Sequence, residues 1–370
     1  MIDISILIII GLPAIVIATI SVFVMKQVLP VNHFLYSNAR LVAKPSIDSF
    51  EDLISSNSLR EFKTSLNNTG YIKDLEQVDN TLRSVHTGLE KAFNGVVAEV
   101  IELSPEKTKP ILDAYLHFYE TKVLKAIYRA KLANVEITKD LIRPIGIIDQ
   151  TMLDNLYSTE TIADIAVVMG STIYSGLFKE YATLEEFEKT LDQFVLDEFV
   201  KVLATIKMYD SAIILELLNR KVDMMNILTI MKLRIRGVKE GFFINNKTLV
   251  CQRSSALLEA ESMEKFIELL DNTPYHQPMQ QALEKYDKDN SLSHFENELF
   301  RAYKKLVISG DLGHTLGPYP LFSYLIKKEF ELRNLFVISR GIDADFSKDK
   351  IKEMIIWLYW AILILQQQCV

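Results

Sequence analysis

Three blocks of this 370-residue chain recur in the same order at nearly one period, and this limits the possible folds more than any other feature. The segment LISSNSLREFKTSLNNTGY from Leu53 aligns without gaps on LYSTETIADIAVVMGSTIY from Leu156, an offset of 103. Leu59 falls on Ile162, Phe62 on Ile165, Thr69 on Thr172 and Tyr71 on Tyr174. A shorter third copy, AESMEKFIELLDNTPY, ends at Thr273 and Tyr275. The second block reads LEKAFNGVVAEVI from Leu89, LDQFVLDEFVKVL from Leu191 and FENELFRAYKKLV from Phe295, at spacings of 102 and 104. The third reads ETKVLKAIYR from Glu120, DMMNILTIMK from Asp223 and ELRNLFVISR from Glu331, at spacings of 103 and 108. Three blocks in one order at one period describe a triplicated unit. The period is close to three tetratricopeptide repeats, but their Trp, Gly and Pro signature is missing.

Each unit reads as helical. Leu53, Leu59, Phe62 and Leu66 are separated by six, three and four residues, the spacing of one helix face. Residues 82–102 and 184–218 contain no proline, and the whole chain holds only 13 Gly and 10 Pro. About three helices per unit are expected, each unit leaving an apolar face to be covered by a neighbour. Linkers are expected at 104–110, 138–144, 241–247 and 309–320, where turn residues gather. The fold class is therefore all-α, with three similar helical-bundle domains.

The third block carries the sharpest pattern. An acidic residue is followed three positions later by Asn in two copies, then by an apolar run ending in Lys or Arg. At about 100° per residue, Glu331 shares a helix face with Leu335 and Ile338, while Arg340 lies on the opposite side. Glu120, Asp223 and Glu331 are thus expected in packing surfaces, where an ionised carboxylate needs donors from elsewhere. A neighbouring helix N-terminus, a basic side chain or the repeated hydroxyls of Tyr71, Tyr174 and Tyr275 could supply them. A packing clasp used once per unit explains threefold copying better than a proton relay or catalytic site does. The three carboxylates and the three tyrosines should each superpose.

Between Asp3 and Lys26 lie 22 residues without a charge. At 1.5 Å each they would span about 33 Å, enough for a bilayer core of about 30 Å. No basic residue precedes this run, it is long for a cleaved leader, and no A-x-A-like site follows. Residues 4–25 are therefore expected to form a membrane-spanning helix. Lys26, Arg40 and Lys44 follow it, which puts the N-terminus outside and the body in the cytoplasm. The alternative is a soluble body starting at Met25. The twelve-residue run from Met354 to Leu365 is too short to span and reads as a buried helix. Residues 347–365 are expected to pack on residues 31–50, closing the array into a ring.

Other chemistry is thin. The formal net charge of −7 argues against a nucleic-acid partner. Cys251 and Cys369 have no metal spacing, and the six histidines form no ligand motif. Neither nucleotide-binding glycine fingerprint occurs, and there is no G-x-S-x-G elbow. Gly310, Gly313 and Gly317 read as a linker, and the basic residues of LKAIYRAK and KLRIR as solvated faces. No catalytic residue, cofactor or metal is expected.

Two further segments, YSNARLVAK (Tyr36–Lys44) with its Asn38-Ala39-Arg40 triplet and PYPLFSYLIKKEFELRNLFVISRG (Pro318–Gly341), resemble the C subunit of the A-type and V-type ATPases, the equivalent of the eukaryotic d subunit. Together with the triplication the resemblance covers essentially 31–360. The family's acidic-x-x-Asn pattern falls on Asp223 with Asn226 and on Glu331 with Asn334, whereas the first copy has Val123 beyond Glu120. The apolar N-terminal run is a departure from the family. The resemblance implies a pseudo-threefold funnel that sits on the cytoplasmic end of a membrane rotor ring and holds the foot of the central shaft. The implied function is that of a non-catalytic rotor element that couples shaft to ring, for protons or sodium. The implied organisation is a spanning helix at 1–30 and units at 31–140, 141–246 and 247–370. A helix fused to a rotor must turn with it, so residues 4–25 would lie in lipid within the ring lumen. A membrane-tethered scaffold of another complex and an anchored hydrolase with a scattered site are the alternatives.

Overall fold

A computed structural model describes residues 16–356, apart from 23, 46, 48, 136, 138–141, 207, 239 and 242. Among the described residues there is no β-strand, and the one β-bridge joins Ile145 to Ile148. Residues 16–22 are helical, and a π turn at Val24–Val28 leads into α1 (Leu29–Val42). Then follow α2 (Glu51–Ser55), α3 (Leu59–Ser65), α4 (Ile72–Leu75), and the long α5 (Leu82–Leu103) and α6 (Lys109–Leu132). The second copy supplies α7 (Gln150–Ser158), α8 (Ile162–Val168), and the long α9 (Leu184–Ile206) and α10 (Ser211–Ile235). The third supplies α11 (Leu249–Gln252), α12 (Ser254–Glu259), α13 (Met263–Glu268), α14 (His276–Asp289), and the long α15 (Ser293–Gly313) and α16 (Tyr319–Asp343). A last helix, α17 (Lys348–Met354), follows.

The first block of each copy is not one helix, as its apolar spacing implies, but short helices around a turn. Ser58, Thr161 and Ser262 break it. Each sits extended and accepts the backbone N–H three residues on, of Glu61, Asp164 and Lys265, which starts a new helix there. The linker expected at 309–320 is shorter, because α15 continues to Gly313. Gly310 is needed within it: a Cβ there would lie 2.1 Å from the hydroxyl of Tyr319.

The paired long helices differ in kind. Helices α5, α9 and α15 carry one apolar stripe, whereas α6, α10 and α16 bury residues round most of their circumference, as central helices must. Helix α6 packs chiefly on α9, α10 on α15, and α16 on α5. That order is cyclic. The three cores accordingly straddle the boundaries of the sequence repeat. One joins Leu124, Ile127 and Tyr128 of α6 to Leu156, Ile165 and Phe187 of the next copy. The largest includes Ile227 and Ile230 of α10 with Phe266 and Phe295. The third joins the two ends of the chain, with Leu335, Ile338, Ile351 and Ile355 packed on Ile47, Phe50, Leu53 and Phe62.

Lys348 ties the same seam by donating its ammonium to the Ser55 carbonyl at 3.0 Å. Residues 347–356 thus lie against the start of the first unit, and 357–365 fall outside the described residues. Residues 1–15 and 23 fall outside them too, and with them most of the expected 4–25 span. Among the described residues no helix is long and apolar enough to cross a membrane.

Candidate functional site

The repeated Thr-x-Tyr turn is built identically in all three copies. Thr69, Thr172 and Thr273 each donate a side-chain hydrogen bond to the carbonyl three residues back, at 2.5–2.7 Å. Each then accepts the amide of Tyr71, Tyr174 or Tyr275. This local turn fixes the direction of the tyrosine. All three rings are buried.

Two of the three hydroxyls reach the preceding copy. Tyr174 donates to Glu120 Oε2 at 2.6 Å, and Tyr275 to Asp223 Oδ2 at 3.0 Å. The rest of each carboxylate is met by the connector. Glu120 Oε1 accepts the amide of Ile147 at 2.9 Å, and its Oε2 also meets His117 Nδ1 at 2.9 Å. Gly146 lies beside it at φ +60, where a Cβ would fall 1.8 Å from Glu120 Oε1. Asp223 Oδ1 accepts from Asn246 at 2.8 Å and Thr248 at 2.5 Å. Burial raises the Asp223 carboxyl above its ordinary value, against the pull of these donors. Burial, then the facing carboxylate, raises both Tyr174 and Tyr275, so they remain donors.

The third carboxylate faces the first copy across the seam. Glu331 and Tyr71 are both buried, but Glu331 Oε1 is taken by Lys328 at 2.9 Å. Lys328 also stands over the Tyr71 ring, 5.7 Å from its centre. The Tyr71 hydroxyl is raised by burial and then by the charge of Glu331, yet makes no hydrogen bond of normal geometry. Carboxylate and tyrosine therefore meet at all three junctions, 1 to 2, 2 to 3 and 3 to 1, with one junction built differently.

The asparagines act beside them. Asn226 exchanges two hydrogen bonds with the backbone of Ile244, and Asn334 two with that of Ile356. Val123 offers none, and there Ile145 and Ile148 satisfy each other. Of the Asn38-Ala39-Arg40 triplet, Asn38 is half-buried and the other two exposed; the buried residues are Ser37 and Leu41. Ser37 fixes α1 by donating to the Leu103 carbonyl at 2.5 Å. The two basic segments are not merely solvated. Lys131 donates to the carbonyls of Tyr157 and Thr159, and Arg234 to those of Leu257, Ala260 and Ser262, each reaching the next copy.

The periodic pattern does not reveal a second cluster between the long helices. Lys221 of α10, Glu329 of α16 and Tyr115 of α6 meet there, with Lys221 3.0 Å from Glu329 and Tyr115 2.9 Å from the same carboxylate. Burial pushes Lys221 down and Glu329 up. The one signal lies two residues before the clasp acids, where Phe118, Lys221 and Glu329 break the threefold pattern. Beside them is a cavity of about 470 Å³, lined by α5, α6, α10, α15, α16 and residues 142–145. Among the described residues no group of three or more His, Cys, Asp or Glu could hold a metal ion.

The family model of the ATP synthase (C/AC39) subunit matches residues 47–354, from the stretch of chain entering α2 to the end of α17. The chain belongs to that family. Its members named as the C subunit of A-type ATP synthase include a protein of Methanocaldococcus jannaschii, 26% identical over 91% of this chain and 90% of that one. The Thermococcus onnurineus protein is 26% identical over 87% of this chain and 90% of its own length. That of Methanothermobacter thermautotrophicus is 23% identical over 92% of each. The family match thus takes in all three carboxylate–tyrosine junctions and the central cavity.

Proposed function

We propose that this family member is a non-catalytic central-stalk component of an A/V-type rotary ATPase, one that couples the shaft to the membrane ring. The observation that carries the proposal is the cyclic packing, in which each inner helix is covered by the next copy and α16 returns to α5. An element that transmits torque must not open or shear. Close-packed interiors resist compression, and a closed ring of helices has no free end to unwind. Its units, 31–140, 141–246 and 247–370, would form a pseudo-threefold funnel around the shaft foot. The relatives named as the C subunit of A-type ATP synthase support the same assembly.

Membrane attachment by residues 4–25 belongs to this proposal. Val16, Ile17, Ile20, Val22 and Met25 are all exposed, 49–67% of each residue's surface facing outward on every side of the helix. Hydrocarbon is the medium that suits such a helix. A spanning helix outside the ring would sweep lipid past the stator, so its place is the lumen, with the N-terminus outside and the body at the cytoplasmic face. Affinity purification of the full chain in mild detergent tests the function. Shaft and ring proteins should co-purify in fixed ratio. Recovery of the chain alone, or with the components of another complex, would overturn it.

A further inference from the structure

Among the described residues, the central cavity has more cationic groups than it has partners for them. Lys221 and Glu329 satisfy each other, and Arg333 binds Glu296 and Asn297 at 3.2 Å. That leaves Lys122 and Arg143 facing Glu90 as the remaining carboxylate of the lining. Lys122 is exposed and lines the cavity, with its ammonium 5.0 Å above the Tyr119 ring. The Tyr119 hydroxyl and Arg143 Nε are buried donors without a hydrogen-bond partner. The surrounding protein lowers Lys122 and raises Glu90 by desolvation, while the attraction between them opposes both shifts. The remaining wall is aromatic, with Phe93, Phe300 and Phe336 among its residues. Unsatisfied buried donors, an excess of cations and apolar walls in about 470 Å³ have the character and size of a small-molecule site.

We propose that this cavity binds a small organic anion: a phosphate or carboxylate group held by Lys122, Arg143 and Tyr119, on an apolar or aromatic body lying against the phenylalanines. The anion supplies the missing acceptors. Its charge-assisted hydrogen bonds carry the affinity, and the rings select for a planar or apolar body.

The test uses the purified full chain with phenyl phosphate, benzoate and the neutral isostere benzyl alcohol, read by calorimetry and by the shift in thermal midpoint. Phenyl phosphate and benzoate should bind and raise the midpoint, with benzyl alcohol about ten- to a hundredfold weaker. Lys122→Gln and Arg143→Gln should each weaken the anions by a similar factor and leave benzyl alcohol unchanged. Glu90→Gln, which removes the one opposing charge, should tighten both anions. If Lys122→Gln misfolds, Tyr119→Phe serves instead, since its hydroxyl bonds nothing in the free protein. Equal affinity for charged and neutral probes, or anion binding that Arg143→Gln and Tyr119→Phe leave intact, would overturn the proposal. Repeating the titration on the assembled complex separates the sources of the anion. Binding in both forms marks a free small molecule, whereas binding only to the isolated chain would overturn the proposal, the site then being filled in the complex by an acidic side chain of a partner.

Discussion

The hydroxyl of Tyr174 donates a 2.6 Å hydrogen bond to the buried carboxylate of Glu120, 54 residues earlier and in the preceding copy. Tyr275 does the same for Asp223. Tyr71 stands against Glu331 without a hydrogen bond of normal geometry, and Lys328 takes one oxygen of that carboxylate. One relationship, copied twice and altered once, allows the contribution of the bond to be separated from that of the ring.

Tyr174→Phe should destabilise the protein by about 1–3 kcal/mol, because it leaves a buried carboxylate short of a donor. Tyr71→Phe should cost clearly less, because the hydroxyl it removes makes no hydrogen bond of normal geometry. Denaturant unfolding of the two variants checks this. Equal losses would show that the phenol rings, not the hydrogen bond, hold the junctions.

Asp223 gives a pH signature. Its folded carboxyl is raised above the ordinary value of 3.8 by burial. The stability linked to its proton is therefore fully present below that value and lost as pH rises through the folded one. Asp223→Asn removes this titration. The thermal midpoint of the variant relative to the native chain should rise as pH is taken from about 4 towards neutrality. A difference that falls over the same range would contradict the raised carboxyl.

Three residues beyond the clasp acid, opposite substitutions should both destabilise. Asn226→Val and Asn334→Val each strip two hydrogen bonds from a buried backbone and should cost about 1–3 kcal/mol or more. Val123→Asn should destabilise as well, not stabilise, because Ile145 and Ile148 already satisfy each other and the new amide would have no partner. A stabilised Val123→Asn would mean that the first connector can adopt the geometry of the other two.

Much of this is legible in the sequence, and the physical reasons divide cleanly. A carboxylate on the apolar face of a helix, with a tyrosine recurring at the same period, is a signal carried by the chain itself, so Glu120, Asp223, Tyr174 and Tyr275 stand out. Their pairing across copies is not legible, since a period says which residues are equivalent and not which of them touch. The shortness of α2 and α3 is hidden because Ser58, Thr161 and Ser262 read equally well inside a helix face and as caps. The Lys221–Glu329–Tyr115 cluster is hidden because it breaks the threefold pattern that makes the other residues visible. Asp210 is silent for another reason. It accepts the amide of Tyr319 at 3.1 Å and meets His314 at 2.8 Å, contacts more than a hundred residues away with no local mark.

The seam between the chain ends is the one junction that no connector crosses. Ile351 is 2% exposed in its core, beside Gly341, where a Cβ would lie 2.6 Å from it. Ile351→Ala should cost about 2–5 kcal/mol, and hydrogen exchange should quicken first in residues 47–66 and 348–356. Exchange quickening first between α6 and α9 would place the weakest junction elsewhere.

Single-molecule rotation measures the central claim directly. Val167 on α8 is 81% exposed and offers a site for Val167→Cys, in a chain whose Cys251 and Cys369 are replaced by serine. With the assembled ATPase fixed to glass through its stator, a bead coupled to that cysteine should revolve when ATP is added, in step with the shaft. A bead that stays still while the shaft turns would contradict the account and place this chain on the stator.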